Sequence, residues 1–324
     1  MQTRNLNGLT TSAIGFGAMV LVDGMYGHVD DTRSPATLHH AIDAGATLID
    51  TADAYAAGAN EQLVGKAIAG RRDEVQLATK WGIVFEGGRV VHHAHAQEIR
   101  VDGRPERARE AAEASLRRLG VDVIDLWYLH FPDPDVPVQE TIGAMAELVR
   151  EGKVRHLGLS NVTAEQVIAA HQVHPLAAVQ GEYSLWTREP ERELLPVLKE
   201  LGIGFVPWSP LGAGFLAGSA DHIGTAGEDF RANHPRFAPQ NLAANRDRFA
   251  PLRELAQERE ITPAQLALAW LLHQGDDLVP IPGTRTPSHL DENLAAAEIV
   301  LDADTLARIG ELAPAGVAAG AALL

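Results

Sequence analysis

The stretch VRHLGLSNVTAEQVIAAHQVHPLAAVQGEYS, residues 154–184, decides the fold. Val154–Asn161 is a short apolar run that ends in two polar residues. Thr163-Ala164-Glu165-Gln166 reads as a capping box, with Gln166 at the third helical position. Ala164–His171 then carries helical spacing, and Ala178–Ser184 is a second apolar run. Strand, capped helix and strand in about thirty residues is a parallel crossover unit, because buried apolar strands alternate with the helices that cover them.

The same unit repeats in both directions. Apolar runs fall at Ala13–Gly17, Thr47–Thr51, Val75–Lys80, Val123–His130, Val154–Asn161, Ala178–Ser184, Gly204–Ser209 and Leu278–Gly283. Helical patterns follow them at Pro35–Ala44, Glu61–Ala69, Pro105–Leu119, Val138–Glu151, Ala164–His171, Glu191–Leu201, Pro263–Leu272 and Ser288–Ala296. Ser34-Pro35 and Thr262-Pro263 are N-cap pairs, and Gly120, Gly152 and Gly202 sit just past helices, where a left-handed cap favours glycine. Eight strand–helix units predict an α/β fold, a single closed (β/α)8 TIM barrel; a doubly wound open sheet is the alternative. Leu6–Thr11 is expected to form a hairpin under the barrel. Gln240–Arg259 and Ala303–Leu312 are read as extra helices, and the Ala/Gly-rich residues 313–324 as a mobile tail of the one domain.

Composition narrows the function. A net charge of −16 supplies no field to attract phosphate chains, which speaks against nucleic acid or an anionic membrane as partner. Zero cysteines remove disulfides, thiolate catalysis and zinc–thiolate sites. Gly15-Phe16-Gly17 begins a dinucleotide fingerprint, but Val20 stands at its third glycine, and Gly65-Lys66 lacks the rest of a P-loop. His92, His93 and His95 lie in a polar segment read as a solvated loop, with a metal site as the alternative. Leu201–Ala220 is long and uncharged, but five glycines and two prolines break it as a membrane span. With no apolar run after Met1, the expected compartment is the cytoplasm, and no metal is expected.

In a barrel, chemistry gathers where strands end at their C-termini. Asp50, Tyr55, Lys80 and His130 fall there on three consecutive strands, and would share one pocket mouth. A lysine paired with an aspartate stays charged, and a cation beside a phenol favours phenolate, which lowers the tyrosine pKa. Such a tyrosine can protonate a carbonyl oxygen as it becomes an alkoxide, with a neutral histidine aligning it. Hydride transfer to a carbonyl has that requirement.

Asp50-Thr51-Ala52-x-x-Tyr55, Thr79-Lys80, Tyr128-Leu129-His130, Gly158-Leu159-Ser160-Asn161 and Ile281-Pro282-Gly283-Thr284 resemble the motifs of the aldo-keto reductase superfamily, over about residues 4–312. Gln180–Trp186 and Pro207–Gly212 resemble its bacterial and fungal branch. The resemblance implies an NADP-dependent aldo-keto reductase of the alcohol dehydrogenase or carbonyl reductase type, with NADPH/NADP+ as cofactor. Tyr55 would be the acid, Lys80 its neighbour, Asp50 the partner of Lys80, and His130 the orienting residue. Ser160, Asn161 and Gln180 would meet the nicotinamide carboxamide, and Trp208 would stack on the ring. Ser209, Leu211, Gly212 and Gly214, in a loop running to Gly218, would wrap the pyrophosphate. Gly283 would be a further cofactor contact, and Arg285 would meet the adenosine 2′-phosphate, with Glu292 and Asn293 at the adenine. Many relatives carry a second basic residue where this chain has Thr286 and His289, so His289 is a further phosphate candidate. Trp81, Phe85 and Phe131 are expected to line the substrate pocket.

The expected partner is a small-molecule carbonyl compound, handled by a monomer or weak homo-oligomer. Two other classes stay open. One is an NADPH-binding sensor or channel-associated regulatory subunit with slow turnover. The other is a lyase that uses Lys80 as a Schiff-base nucleophile.

Overall fold

The computed structural model describes residues 1–23, 26–29, 34–94, 97–219 and 229–322. It opens with β1 (Thr3–Leu6) and β2 (Leu9–Ser12), an antiparallel hairpin. Asn7 and Gly8 turn it with positive φ at both positions, the backbone that suits the twist of a two-residue hairpin. Leu6 and Leu9 are buried beneath the barrel. A Cβ at Gly204 would come within 2.3 Å of Leu6, so only glycine there lets the hairpin seat.

Seven parallel strands follow: β3 (Phe16–Gly17), β4 (Leu48–Asp50), β5 (Gln76–Trp81), β9 (Ile124–Leu129), β10 (Val154–Ser160), β11 (Leu176–Glu182) and β12 (Gly204–Trp208). Each pairs with the next in that order. The eighth apolar run closes the ring. Val279 and Ile281 donate to Phe205 O and Pro207 O on one side, and Gly15 and Gly17 donate to Pro280 O and Pro282 O on the other. Pro280 and Pro282 bring no N–H, so the β3 side of this run only accepts. The expected barrel is what forms.

The eight barrel helices are α1 (Ser34–Asp43), α2 (Ala59–Ile68), α3 (Pro105–Leu119), α4 (Val138–Arg150), α5 (Ala164–His171), α6 (Leu194–Leu201), α8 (Pro263–Leu272) and α9 (Pro287–Ala295). The extra helices are α7 (Pro239–Glu258) and α10 (Ala303–Leu312). Thr163 and Thr262 both make full capping boxes. No helix among the described residues is long and apolar enough to cross a membrane.

Strand side chains alternate in and out. Leu48, Ala78, Leu126, Ala178, Val206 and Val279 fill the barrel with the hairpin leucines. Ile49, Leu77, Trp127, Leu157, Val179 and Phe205 face the helices. Two residues further up five of these six inward rows lie Asp50, Lys80, Tyr128, Gln180 and Trp208, with Ile281 on the sixth, so the barrel is apolar below and largely polar at its mouth.

Two segments depart from the sequence reading. Between β5 and α3, where a polar loop is expected, β6 (Ile83–Val84), β7 (Arg89–Ala94) and β8 (Gln97–Val101) form a small antiparallel sheet. His92 and His93 belong to β7, and His95 lies outside the described residues. At the other end, the segment expected as a mobile tail runs along the protein. Asn245 exchanges two hydrogen bonds with the backbone of Ala319, and Arg188 and Arg248 donate to Ala313 O and Val317 O.

Candidate active site

Lys80, the residue before the end of β5, points inward and is fully buried. Its Nζ donates to Asp50 Oδ1 at 2.5 Å, Thr51 O at 2.9 Å and Tyr55 Oη at 3.1 Å. An ammonium has three donors, and all three are used. Burial alone would lower the Lys80 ammonium, but Asp50 and the Tyr55 oxygen raise it above its ordinary value. Asp50 is pushed up by burial and pulled back by Lys80 and by Gln180.

Tyr55 follows β4 in a turn where Ala56 and Ala57 both hold left-handed backbone, with φ of 48° and 51°. Such strain costs on the order of 1 kcal/mol or more per residue, and it is held by the surroundings. Thr51 Oγ1 donates to Asn60, and Asn60 donates to Ala18 O, which ties this turn to the loop after β3. Burial raises the Tyr55 phenol, and Lys80 pulls it back down. The sequence reading expects a phenol below its ordinary value. Enclosure reverses that sign, because withdrawing phenolate from water outweighs one neighbouring cation.

His130 follows β9. Its ring meets the Tyr55 ring edge-on at 5.9 Å and stacks on Phe131 at 5.4 Å. Burial, reinforced by Lys80, holds it well below the usual imidazole range, so it is neutral. Asp53 is pushed up to about 7 by burial and by the nearby Glu61 carboxylate.

These groups floor a cavity of about 1310 Å³. Asp50, Tyr55 and His130 line it, and Lys80 sits behind them. Ser160, Asn161, Gln180, Trp208, Ser209, Leu211, Gly214, Gly283, Arg285, His289, Glu292 and Asn293 all line it too. Gly212 does not: it packs down on Trp186, where a Cβ would lie 2.4 Å from the indole. Asn161 Nδ2 donates to His130 O and Ser160 Oγ, both at 3.0 Å, while Asn161 Oδ1 accepts from Trp208 Nε1 at 3.3 Å. Gln180 Nε2 donates to Asp50 Oδ2 at 2.9 Å. Glu292 accepts from Thr262 at 2.5 Å.

Phe131 and the exposed Phe85 line the mouth. Trp81 does not, which corrects the expectation for it. Its indole is buried, stacks on Trp127 at 5.3 Å and donates to Met145 Sδ at 3.4 Å. Strand parity is the reason: with Lys80 inward, Trp81 must face the helices.

Tyr26, in the segment 21–31 that the sequence reading expects to set specificity, lines the cavity, as do Asp229 and Arg231, which that reading missed. Tyr26 pairs with Asp229 as an antiparallel bridge, and Arg231 lies 5.2 Å over the Tyr26 ring while forking onto Asp229. Arg285 donates to Tyr26 O at 3.0 Å and His28 O at 2.9 Å, which straps the loop from the other side. Loops without periodicity gave no signal for these contacts.

The arrangement has counterparts. The model of the Aldo/keto reductase family matches residues 13–314. A probable aldo-keto reductase 1 of Glycine max is 42% identical over 314 residues, covering 97% of this chain and 88% of that protein. Among solved structures, a glycerol dehydrogenase from Gluconobacter oxydans superposes with a TM-score of 0.85 at 30% identity, over 96% of this chain and 94% of that one. An aldo-keto reductase from Klebsiella pneumoniae in complex with NADPH gives 0.73 at 30% identity, over 97% and 96%.

Proposed function

The chain belongs to the aldo/keto reductase family, and on that premise we propose that it reduces an aldehyde or ketone to the alcohol with NADPH, Tyr55 giving the proton. The observation that carries this reading is the triple contact of buried Lys80 with Asp50, Thr51 O and Tyr55 at the cavity floor.

The residues present fit the cofactor. A cavity of about 1310 Å³ exceeds the roughly 300–1,000 Å³ of ordinary ligand pockets, leaving room for a dinucleotide and a substrate together. Its inner end offers the Trp208 face beside Ser160, Asn161 and Gln180, and its outer end offers Arg285, His289 and Glu292. Asn161 has spent both amide hydrogens, so Asn161 Oδ1 is what it offers a carboxamide N–H. Held by Ser160, Asn161, Gln180 and Trp208, a reduced nicotinamide would be the source of hydride for a carbonyl carbon.

The remaining work falls to the chain. Neutral His130 donates a hydrogen bond that fixes the carbonyl oxygen beside Tyr55. As charge builds on that oxygen, the Tyr55 hydroxyl passes its proton across. The phenolate left behind is met by Lys80 at 3.1 Å, whose own charge is balanced by Asp50. Phe131 and Tyr26 line the cavity beside the reacting centre, with the exposed Phe85 at its mouth.

The test is NADPH consumption against a panel of aldehydes and ketones. At least one member should be reduced with equimolar NADPH loss. NADPH binding with no consumption across the panel would overturn the reading in favour of a sensor.

A further inference from the structure

The carboxylate of Asp50 is held at both ends. Lys80 takes Oδ1 at 2.5 Å from β5, and Gln180 takes Oδ2 at 2.9 Å from β11, across the barrel. All three side chains are buried. With its nitrogen given to Asp50, Gln180 has its carbonyl oxygen to offer the cavity that it lines.

One clamp leaves a carboxylate free to swing about its Cβ–Cγ bond, and two fix its plane. The fixed plane sets where Lys80 Nζ sits, and Lys80 has no donor left beyond Asp50, Thr51 O and Tyr55. A displacement at Asp50 therefore reaches the Tyr55 oxygen through a single intervening group.

We propose that Gln180 is a positioning residue for the proton donor: through Asp50 and Lys80 it sets the environment of Tyr55. The proposal rests on the reading of Tyr55 as acid. Remove the Gln180 donor, and Asp50 Oδ2 is left buried without a partner. The carboxylate then leans harder on Lys80, the ammonium holds the Tyr55 oxygen less well, and the phenol titrates at higher pH. The groups facing Tyr55 are Lys80, Asp50, Asp53, His130 and Tyr26. Of these, Asp50 is the one in hydrogen-bond contact with Gln180.

The experiment follows Tyr55 directly rather than through turnover. Tyrosines carrying 13C at Cζ are titrated by NMR in the full chain bound to NADP+, where the positive ring favours phenolate. Only four tyrosines are present, and Tyr55→Phe assigns the signal. Gln180→Met keeps the shape and removes the donor; Gln180→Glu keeps the shape and sets a carboxyl against Asp50. Both should raise the Tyr55 midpoint by about one pH unit, the scale of one charge-assisted hydrogen bond. Tyr128→Phe, which disturbs the same packing but leaves the clamp, should not. An unchanged midpoint in whichever Gln180 variant folds overturns the proposal. So does an equal rise in Tyr128→Phe, or a parent Tyr55 that never titrates. An unchanged midpoint alongside an inactive Tyr55→Phe would sink this inference alone; an active Tyr55→Phe would sink the reading beneath it.

Discussion

Replacing Lys80 with methionine removes a cation that satisfies three buried acceptors, and the largest debt falls on Asp50. Its carboxylate would stay enclosed with Gln180 alone, so it escapes by taking a proton. A carboxyl that ionises near pH 4 in the unfolded chain needs about 1.4 kcal/mol per pH unit to stay protonated, hence about 4 kcal/mol at pH 7. That is a large part of the 5–15 kcal/mol or so that holds a typical domain folded. The sign follows from the raised folded-state pKa: stability is kept near pH 4 and lost as pH rises toward the folded value. The deficit against the parent should therefore shrink to about 1.4 kcal/mol near pH 5. Urea unfolding followed by circular dichroism at both pH values reads it, and adding Asp50→Asn to Lys80→Met should recover most of the loss at pH 7. An equal deficit at both pH values, or no recovery in the double variant, would refute the argument that Lys80 exists to neutralise Asp50.

Arg285→Ala should cut the preference for NADPH over NADH by about tenfold, as one charge-assisted contact would predict; an unchanged ratio on titrating both cofactors removes Arg285 from the 2′-phosphate. Trp208 is the one tryptophan of five that lines the cavity, so NADPH should quench protein emission and Trp208→Phe should clearly reduce that quench; equal fractional quenching in both proteins contradicts the stacking assignment. Asp53, with its carboxyl pushed up to about 7, loses stability as pH rises from about 4 toward that value. Asp53→Asn should accordingly gain melting temperature over the parent near pH 8 and little near pH 4, and a pH-independent difference would count against it.

The barrel was legible because its strands are buried on both faces and its helices carry caps at the predicted breaks. The convergence of Asp50, Tyr55, Lys80 and His130 was legible because a strand end is a position that a sequence marks. Trp81 was misplaced for a reason equally present in the sequence: alternation from Lys80 turns it outward, toward Met145. The sheet of β6, β7 and β8 was obscured by its histidines and charges, though Arg89–Ala94 does hold a Val-rich centre. Asp229 and Arg231 left no trace, because contacts between distant loops depend on chain paths that no local pattern encodes. The Gln180–Asp50 bond spans 130 residues and needs the closed barrel to exist. The raised Tyr55 phenol needed the burial itself, which residue types alone do not give.

The central claim is that Tyr55 supplies the proton. The direct test compares Tyr55→Phe with the parent in two measurements on the same preparations: NADPH affinity by titration, and single-turnover reduction of whichever carbonyl the parent accepts. The hydroxyl acts in the transition state, so affinity should hold while the rate falls about 10²–10⁴-fold. A variant that keeps more than about a tenth of the parent rate, with cofactor affinity intact, would contradict the account.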